Sequence, residues 1–272
     1  MQGYTYRNMN ESTSSIRQVF NQLAAHYDTI FTNTDIGRML RQRTHDLLNG
    51  MFTPGQTVLV LNCGTGEDVI HLARQGINVL ASDNSEEMIK FAKIKVNQAG
   101  LNHMVEFRQI NFDKLDYSLS SGETFDGIIS NFGGINCSSD ISQVVKNIAD
   151  YLRPGGKLYL CIMGQFVPWE WLYLGVRGKY KRIYHRFRGS CIWRGQEIKY
   201  YSPAEIETYL SIHYRSTQCS GLGFLIPPSY AGKLFSKFPR VFYFLNWVEK
   251  HLETFFPIPL LSDHFVFKSI RK

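Results

Sequence analysis

The chain has 272 residues, of which 44% are hydrophobic and 14% aromatic. A chain of this size buries roughly three quarters of its unfolded surface, and the composition excludes a disordered protein. The net charge of +7 comes largely from the basic residues between positions 177 and 194, so it is not independent support for an anionic partner. The first residues lack the apolar core of a signal peptide, and no run approaches the roughly 18 apolar residues of a membrane span, so we expect a cytoplasmic protein.

Two amphipathic helices are predicted first, from about Ser14 to Phe31 and from Asp35 to Phe52, because apolar residues recur there at three- and four-residue spacing. Predicted strands near 57–62, 78–83, 104–110, 125–130 and 156–163 then alternate with helices. Such alternation indicates a parallel sheet covered on both faces. Residues 152–157 are predicted to end a helix and turn into the fifth strand, since proline and glycine interrupt them.

Beyond residue 164, two aromatic-rich segments interrupt the alternation, at about 165–199 and 223–260, and residues 263–270 then read as a strand. The first segment carries seven Lys and Arg residues between Arg177 and Arg194, interleaved with aromatic residues and with no acid. This pattern is typical of a solvated basic face, and also of a surface that binds phosphate or RNA.

The second segment contains apolar residues at helical spacing, which predict an amphipathic helix with Glu249, Lys250 and Glu253 on its polar face. Its apolar stripe consists of Val241, Leu245, Val248, Leu252 and Phe255. Such a stripe packs as part of a core or lid, or else forms a pocket wall or a membrane-touching surface.

Residues 58–68 contain an apolar run that breaks into a turn at Gly64 and Gly66. This pattern indicates a strand that brings a ligand to a helix N-terminus, because glycine permits close backbone approach. Val69 occupies the position of the third glycine of a dinucleotide fingerprint, and the Gly-Lys-Ser/Thr of a phosphate-binding loop is absent. Asp83 ends the second predicted strand, where a carboxylate accepts hydrogen bonds from both ribose hydroxyls.

The five cysteines, at positions 63, 137, 161, 191 and 219, include no Cys-x-x-Cys pair and fit no zinc spacing. We therefore expect free thiols and no structural metal.

Four ordered segments resemble motifs of the class I S-adenosylmethionine-dependent methyltransferases: 61–66 (LNCGTG), 82–88 (SDNSEEM), 125–131 (FDGIISN) and 152–158 (LRPGGKL). The resemblance implies an α/β fold, a doubly wound Rossmann-like sheet of seven mostly parallel strands with an antiparallel last strand. It further implies one methyltransferase domain, 1–272. Within it we predict cap helices at 1–54, a cofactor core at 55–164, lid or substrate insertions at 165–199 and 223–260, and a final strand at 261–272.

The resemblance also implies S-adenosyl-L-methionine as cofactor, with S-adenosyl-L-homocysteine as product. Asn62 and Asn111 depart from the acids common in the family, so Asp68 is expected to accept from the cofactor's amino group, with Tyr27 as a cap. The predicted cofactor-binding residues are Tyr27, Asn62, Gly64, Gly66, Asp68, Asp83, Asn84, Met88, Asn111, Phe112 and Asn131. The candidate bases are His264, His185 and His26, and the predicted substrate-lining residues are Phe132, Asn136, Trp169 and Tyr184.

The expected reaction is direct in-line methyl transfer to a small-molecule acceptor, lipophilic or phosphate-bearing, such as a secondary metabolite. An acidic carrier protein is a further candidate partner. The alternative is an RNA methyltransferase that uses residues 177–194, although the Asn/Asp-Pro-Pro-Tyr signature of amino-methylating nucleic-acid enzymes is absent after the fourth strand. A nicotinamide oxidoreductase, or a cofactor-binding protein without transfer activity, is the third hypothesis.

Overall fold

The computed structural model describes residues 8–120 and 122–272, with side chains from residue 16 onward except at 116–117, 216–217 and 233–234. Its strands are β1 Thr57–Leu61, β2 Asn78–Asp83, β3 Val105–Gln109, β4 Phe125–Ser130, β5 Leu152–Met163, β6 Ser190–Trp193, β7 Gln196–Lys199, β8 Tyr214–Leu222 and β9 His264–Arg271. Seven of them form one sheet in the order β3-β2-β1-β4-β5-β9-β8. β1 to β5 are parallel, and β9 runs antiparallel to both β5 and β8. This topology confirms the predicted fold class.

Helices cover both faces of the sheet. They are α1 Asn8–Tyr27, α2 Asp35–Leu48, α3 Glu67–Ala73, α4 Glu86–Gln98, α5 Ile141–Tyr151, α6 Pro168–Gly175, α7 Tyr180–Phe187, α8 Pro203–His213, α9 Gly232–Lys237 and α10 Pro239–Leu252. A π-helical turn, Asp28–Thr32, extends α1 where the sequence predicted one continuous helix. α2 ends at Leu48, short of Phe52, because Gly50 adopts the left-handed conformation that terminates helices.

The central strand β1 supplies side chains to both hydrophobic cores. Val58 and Val60 pack on the face covered by α2, α3 and α4, whereas Leu59 and Leu61 pack on the face covered by α5 and α8. All four are almost completely buried, as expected for alternate residues of a strand that is covered on both faces. β1 is thereby held rigidly, and the loop that follows it starts from a fixed point.

The predicted strands of the sheet agree with the structure to within about one residue at their ends, except at the start of β5. Leu152 already pairs with Phe125 across a bulge, so β5 begins four residues before the predicted 156. The β6–β7 hairpin was not predicted, because its four-residue strands lie inside the basic aromatic segment. The division of the chain into cap, core and lid segments stays a prediction.

The predicted orientation of α10 is wrong. Glu249, assigned to the polar face, is buried and accepts hydrogen bonds from the backbone N–H groups of Gly223 at 2.8 Å and Leu225 at 2.6 Å. The turn at 223–226 needs acceptors for these donors, and a buried carboxylate provides them. The side chains of Phe244 and Trp247 are 61% and 60% exposed instead. No helix among the described residues has the length and hydrophobicity needed to cross a membrane.

Candidate active site

A cavity of about 820 Å³ opens at the carboxyl ends of β1, β2, β4 and β5. The loops that follow these strands form its floor, while α1, α7 and the β6–β7 hairpin form its walls. Phe20 of α1 meets Trp193 of the hairpin at a ring-centroid distance of 6.2 Å, so these elements touch above the strand ends. This is the edge at which ligands of open α/β sheets bind.

The glycine turn after β1 has the backbone geometry that the sequence implied. Gly64 and Gly66 both have positive φ angles, 53° and 92°. A Cβ atom on Gly66 would lie 3.0 Å from the Cβ of Ala92, so glycine lets the turn lie directly against α4. Asn62 donates to the carbonyl of Asn131 at 2.8 Å and accepts from the Ser130 hydroxyl at 2.6 Å, which joins the ends of β1 and β4.

Asp83 lies at the end of β2 with its carboxylate in the cavity lining. One oxygen accepts from the backbone N–H of Gly64 at 3.0 Å and the other from that of Ser85 at 2.9 Å. Burial raises the pKa of Asp83 to about 6 despite these donors. The carboxylate therefore has more acceptor capacity than its protein partners use, at the position predicted to bind a ribose.

Asp68, at the start of α3, is held by three side chains. Its carboxylate accepts from Arg41 at 2.9 Å and from Asn131 at 3.0 Å, and it lies 2.9 Å from Nε2 of His45. Burial alone would raise the pKa of Asp68, but Arg41 and the two other partners hold it well below its usual range. An anion and a cation thus lie side by side in the cavity, since Arg41 also lines it.

Phe132 and His264 border another part of the same cavity. The ring of Phe132 lies 4.3 Å below the Arg41 guanidinium and meets His264 edge-on, with ring centroids 5.9 Å apart. Nδ1 of His264 is 3.1 Å from a carboxylate oxygen of Asp263, close enough for an ion pair but not aligned as a hydrogen bond. Phe132 therefore contacts both Arg41 and His264, and these three side chains are grouped inside the cavity.

Arg186 has an internal role, although the sequence placed it in a solvated or phosphate-binding stretch. Its guanidinium pairs with the carboxylates of Glu170 and Asp263 and donates to the carbonyl of Gly164 at 2.9 Å. It is 6% exposed. This network fastens α7 to the β5 end of the sheet and keeps the pKa of Asp263 well below its usual range, with burial opposing.

Most of the predicted site residues line the cavity. They are Tyr27, Asn62, Gly64, Asp68, Asp83, Asn84, Met88, Asn111, Phe112, Asn131, Phe132, His185 and His264. Gly66 packs behind the lining against α4. The binding and catalytic roles predicted for these residues stay predictions.

Four of the predicted residues, His26, Asn136, Trp169 and Tyr184, lie outside the lining of this cavity, so their roles stay predictions. His26 and Tyr184 are exposed, and the Trp169 ring packs against Phe242 of α10. Asn136 is fully buried, and its side chain bonds to backbone atoms of Met163 and Lys199. It anchors β7 to β5 and has no polar atom free for a substrate.

Sequence reasoning missed Arg41, Met163, Tyr200 and Tyr230, all of which line the cavity. Arg41 had one usable signal, a cation on a helix predicted to pack on the sheet. The others come from segments far apart in the chain, and no local spacing connects them.

The cysteines are free thiols, as predicted, and Cys63 and Cys161 are buried. Burial raises the pKa of Cys161 to about 12. Within residues 8–120 and 122–272, no three His, Cys, Asp or Glu side chains are grouped as metal ligands.

Comparisons with known proteins agree with this geometry. Residues 58–156 match the model of a family described as a methyltransferase domain. Glycine N-methyltransferase of Mus musculus is 36% identical over 115 residues, which cover 38% of this chain and 39% of that protein. Demethylmenaquinone methyltransferase of Lactobacillus johnsonii is 29% identical over 146 residues, which cover 53% of this chain and 58% of that protein. The chain thus spans less than two thirds of the length of these two curated relatives.

Solved structures share the fold over nearly the whole chain. Magnesium protoporphyrin IX methyltransferase from Synechocystis PCC 6803 has a TM-score of 0.60 at 18% identity, covering 96% of this chain and all of that one. A Burkholderia thailandensis 1,6-didemethyltoxoflavin-N1-methyltransferase has a TM-score of 0.60 at 14% identity, covering all of this chain and 93% of that one. The match of residues 58–156 and the shared fold thus support an S-adenosylmethionine-dependent methyltransferase domain in this chain.

Proposed function

We propose that this protein transfers a methyl group from S-adenosyl-L-methionine to a small lipophilic acceptor by direct in-line displacement. One observation carries the proposal: a single cavity contains a polar part around Asp83, Asp68 and Arg41 and an apolar part around Phe132 and Met163. A donor in the first part and an acceptor in the second would meet without leaving the cavity.

The nucleoside half of the cofactor fits the residues after β2 and β3. Asp83 has acceptor capacity for two ribose hydroxyls, and the buried side chain of Met88 offers an apolar surface to a flat base. Phe112 follows β3 and also lines the cavity. The side-chain oxygen of Asn111 accepts from the backbone of Asp113 at 3.0 Å, so its NH₂ group is the part available to the base.

The amino-acid half of the cofactor is zwitterionic, and the cavity contains a matching pair of charges. Arg41 would face the carboxylate and Asp68 the amino group, because the two side chains are adjacent and both line the cavity. From the sequence, Asp68 is the partner of the amino group at this end, with Tyr27 as a cap, and the carboxylate has no assigned partner. Since Asp68 is already bound by three partners, we assign the carboxylate to Arg41.

The bound cofactor supplies an electrophilic methyl group, and positioning of a nucleophile against it accounts for about 7–11 kcal/mol of barrier lowering. The chain's own contribution is to hold the acceptor and to exclude water with Phe20, Phe132 and Trp193, which line the cavity.

His264 is our candidate for the general base. It is 8% exposed, lines the cavity and has the Asp263 carboxylate beside Nδ1. A proton on Nδ1 is favoured by that carboxylate, which leaves Nε2 as the acceptor of a proton from an O–H, N–H or activated C–H group. His26 lies outside the cavity, and His185 is exposed at its edge.

An apolar acceptor is favoured by the walls of the cavity, which include Ile16, Phe20, Met163, Ile192, Trp193 and Ile198. One relative is named for a demethylated menaquinone, a lipophilic compound. A phosphate-bearing acceptor or an acidic carrier protein stays a prediction, with Arg17 and Arg182 as exposed cations at the cavity. Arg186 is buried in an internal ion pair, so its charge is not available to an RNA phosphate, and this weakens the RNA alternative.

The test supplies the protein with methyl-tritiated S-adenosylmethionine and a panel that contains a demethylmenaquinol, a porphyrin, glycine and a transcribed RNA. We expect label in the organic phase, and no transfer by an Asp83→Ala variant. Label in RNA alone would overturn the acceptor class. Failure of S-adenosylhomocysteine to raise the melting temperature of the wild-type protein would overturn the cofactor assignment as well.

A further inference from the structure

Helices α6 and α7, with the residues that cap them, carry a group of exposed apolar and basic side chains. We call it the α6–α7 surface and define it by Leu172, Val176, Lys179, Tyr180, Lys181 and Arg188. Leu172 is 61% exposed, Val176 81% and Tyr180 67%. The two helices pack against each other, so these residues belong to one structural unit. Exposed apolar side chains that are concentrated in one structural unit often mark an interaction surface.

The same surface is strongly positive. No Asp or Glu lies between Glu170 and Glu197 in the sequence. Glu170 is itself buried against Arg186, so it does not neutralise the surface. Lys179, Lys181 and Arg188 are exposed on the same two-helix unit as the apolar side chains. Its partner should therefore combine negative charge with an apolar interior.

We propose that the α6–α7 surface binds the anionic face of a lipid bilayer. Cations beside exposed apolar and aromatic residues suit a headgroup layer, where the charges meet anionic lipids and the apolar side chains enter the interface. Nucleic acid is the less suitable partner, because bases stack on planar rings and gain little from the aliphatic Leu172 and Val176.

The position of α7 connects this surface with the cavity. Arg182 and His185 on α7 line the cavity, whereas Lys179 and Lys181 on the same stretch lie on the surface. A bilayer bound by α7 would lie next to the cavity wall, and an acceptor dissolved in lipid would have a short path to the site. That consequence rests on the proposed function, whereas lipid binding does not.

The experiment is flotation of the full chain with vesicles of phosphatidylcholine, with and without about 30% phosphatidylserine. We expect binding only to the anionic vesicles. Lys179→Gln/Lys181→Gln should lower the partition coefficient about 25-fold, because each cation near an anionic surface contributes about a factor of five. The matched control is Lys93→Gln/Lys146→Gln, which removes two exposed lysines from α4 and α5 and should change binding little.

The apolar part is tested by Val176→Ser/Tyr180→Ser, which should lower binding about tenfold. Phe244→Ser/Trp247→Ser on α10 should leave it intact. Loss of binding with the α10 variant alone, equal binding to neutral vesicles, or no binding to either vesicle would overturn the proposal. Displacement of the protein from vesicles by single-stranded RNA, in a manner that depends on Lys179 and Lys181, would also overturn the proposal. The rise in melting temperature with S-adenosylhomocysteine is measured on each variant as a control for folding. Its absence in the wild-type protein would contradict the proposed function and would leave the result on lipid binding unaffected.

Discussion

The pKa of Asp83 gives the sharpest test of the cofactor site. Burial raises the folded-state pKa of Asp83 to about 6 from the ordinary aspartate value of 3.8. The ionised carboxylate therefore costs stability, and this cost develops as pH rises from 3.8 and is complete above about 6. The difference corresponds to about 3 kcal/mol. A ligand that donates hydrogen bonds to the carboxylate would recover part of this cost.

S-adenosylhomocysteine should accordingly bind most tightly where Asp83 is ionised. We expect a constant Kd above about pH 7 and a loss of affinity approaching tenfold for each pH unit below about 6, because binding then requires release of one proton. Two charge-assisted hydrogen bonds to the ribose contribute about 1.5–3 kcal/mol each, so their removal should raise Kd about 10²- to 10⁴-fold.

The assay is isothermal titration calorimetry of S-adenosylhomocysteine between pH 5 and 8 on the wild-type protein and on Asp83→Asn. Gly64 and Ser85 donate to different oxygens of Asp83, so the Asn side chain keeps an acceptor for one of these two N–H groups, and loss of the other bond should cost about 1–3 kcal/mol without unfolding the variant. Its Kd should be high and independent of pH through this range. A flat wild-type profile, or the same slope in the variant, would refute the reasoning, since another group would then control binding.

Three further predictions concern single side chains. His264→Asn should lower methyl transfer about 10²- to 10⁴-fold in single-turnover assays, and an equal loss of S-adenosylhomocysteine affinity would argue against a base. Arg41→Met leaves the Asp68 carboxylate without its cation and should destabilise the fold by about 3–5 kcal/mol in urea, with Arg41→Lys recovering part of it. Glu249→Leu removes the acceptor from the backbone N–H groups of the 223–226 turn and should lower the free energy of unfolding by about 3 kcal/mol or more; an unchanged melting temperature would contradict this.

Local sequence patterns were sufficient to predict the central strands of the sheet and the turn that follows β1. β1 and the turn that contains Gly64 and Gly66 were predicted correctly, because a buried parallel strand needs a continuous apolar run and a positive φ angle favours glycine. Asp83 at the end of β2 followed from the same logic. These features depend on neighbours along the chain, so a single sequence contains the information.

The tertiary structure alone decided which distant residues share the cavity and which polar groups are already bound. Asn136 looked available in the sequence, yet the backbone of β5 and β7 uses its whole amide. Glu249 looked solvent-exposed, yet a turn some 25 residues earlier needs its carboxylate as a hydrogen-bond acceptor. Arg41 and His264, more than 200 residues apart in the chain, both contact Phe132. Helical spacing records only which face is apolar on average, whereas burial and pairing depend on what the rest of the chain presents to that face.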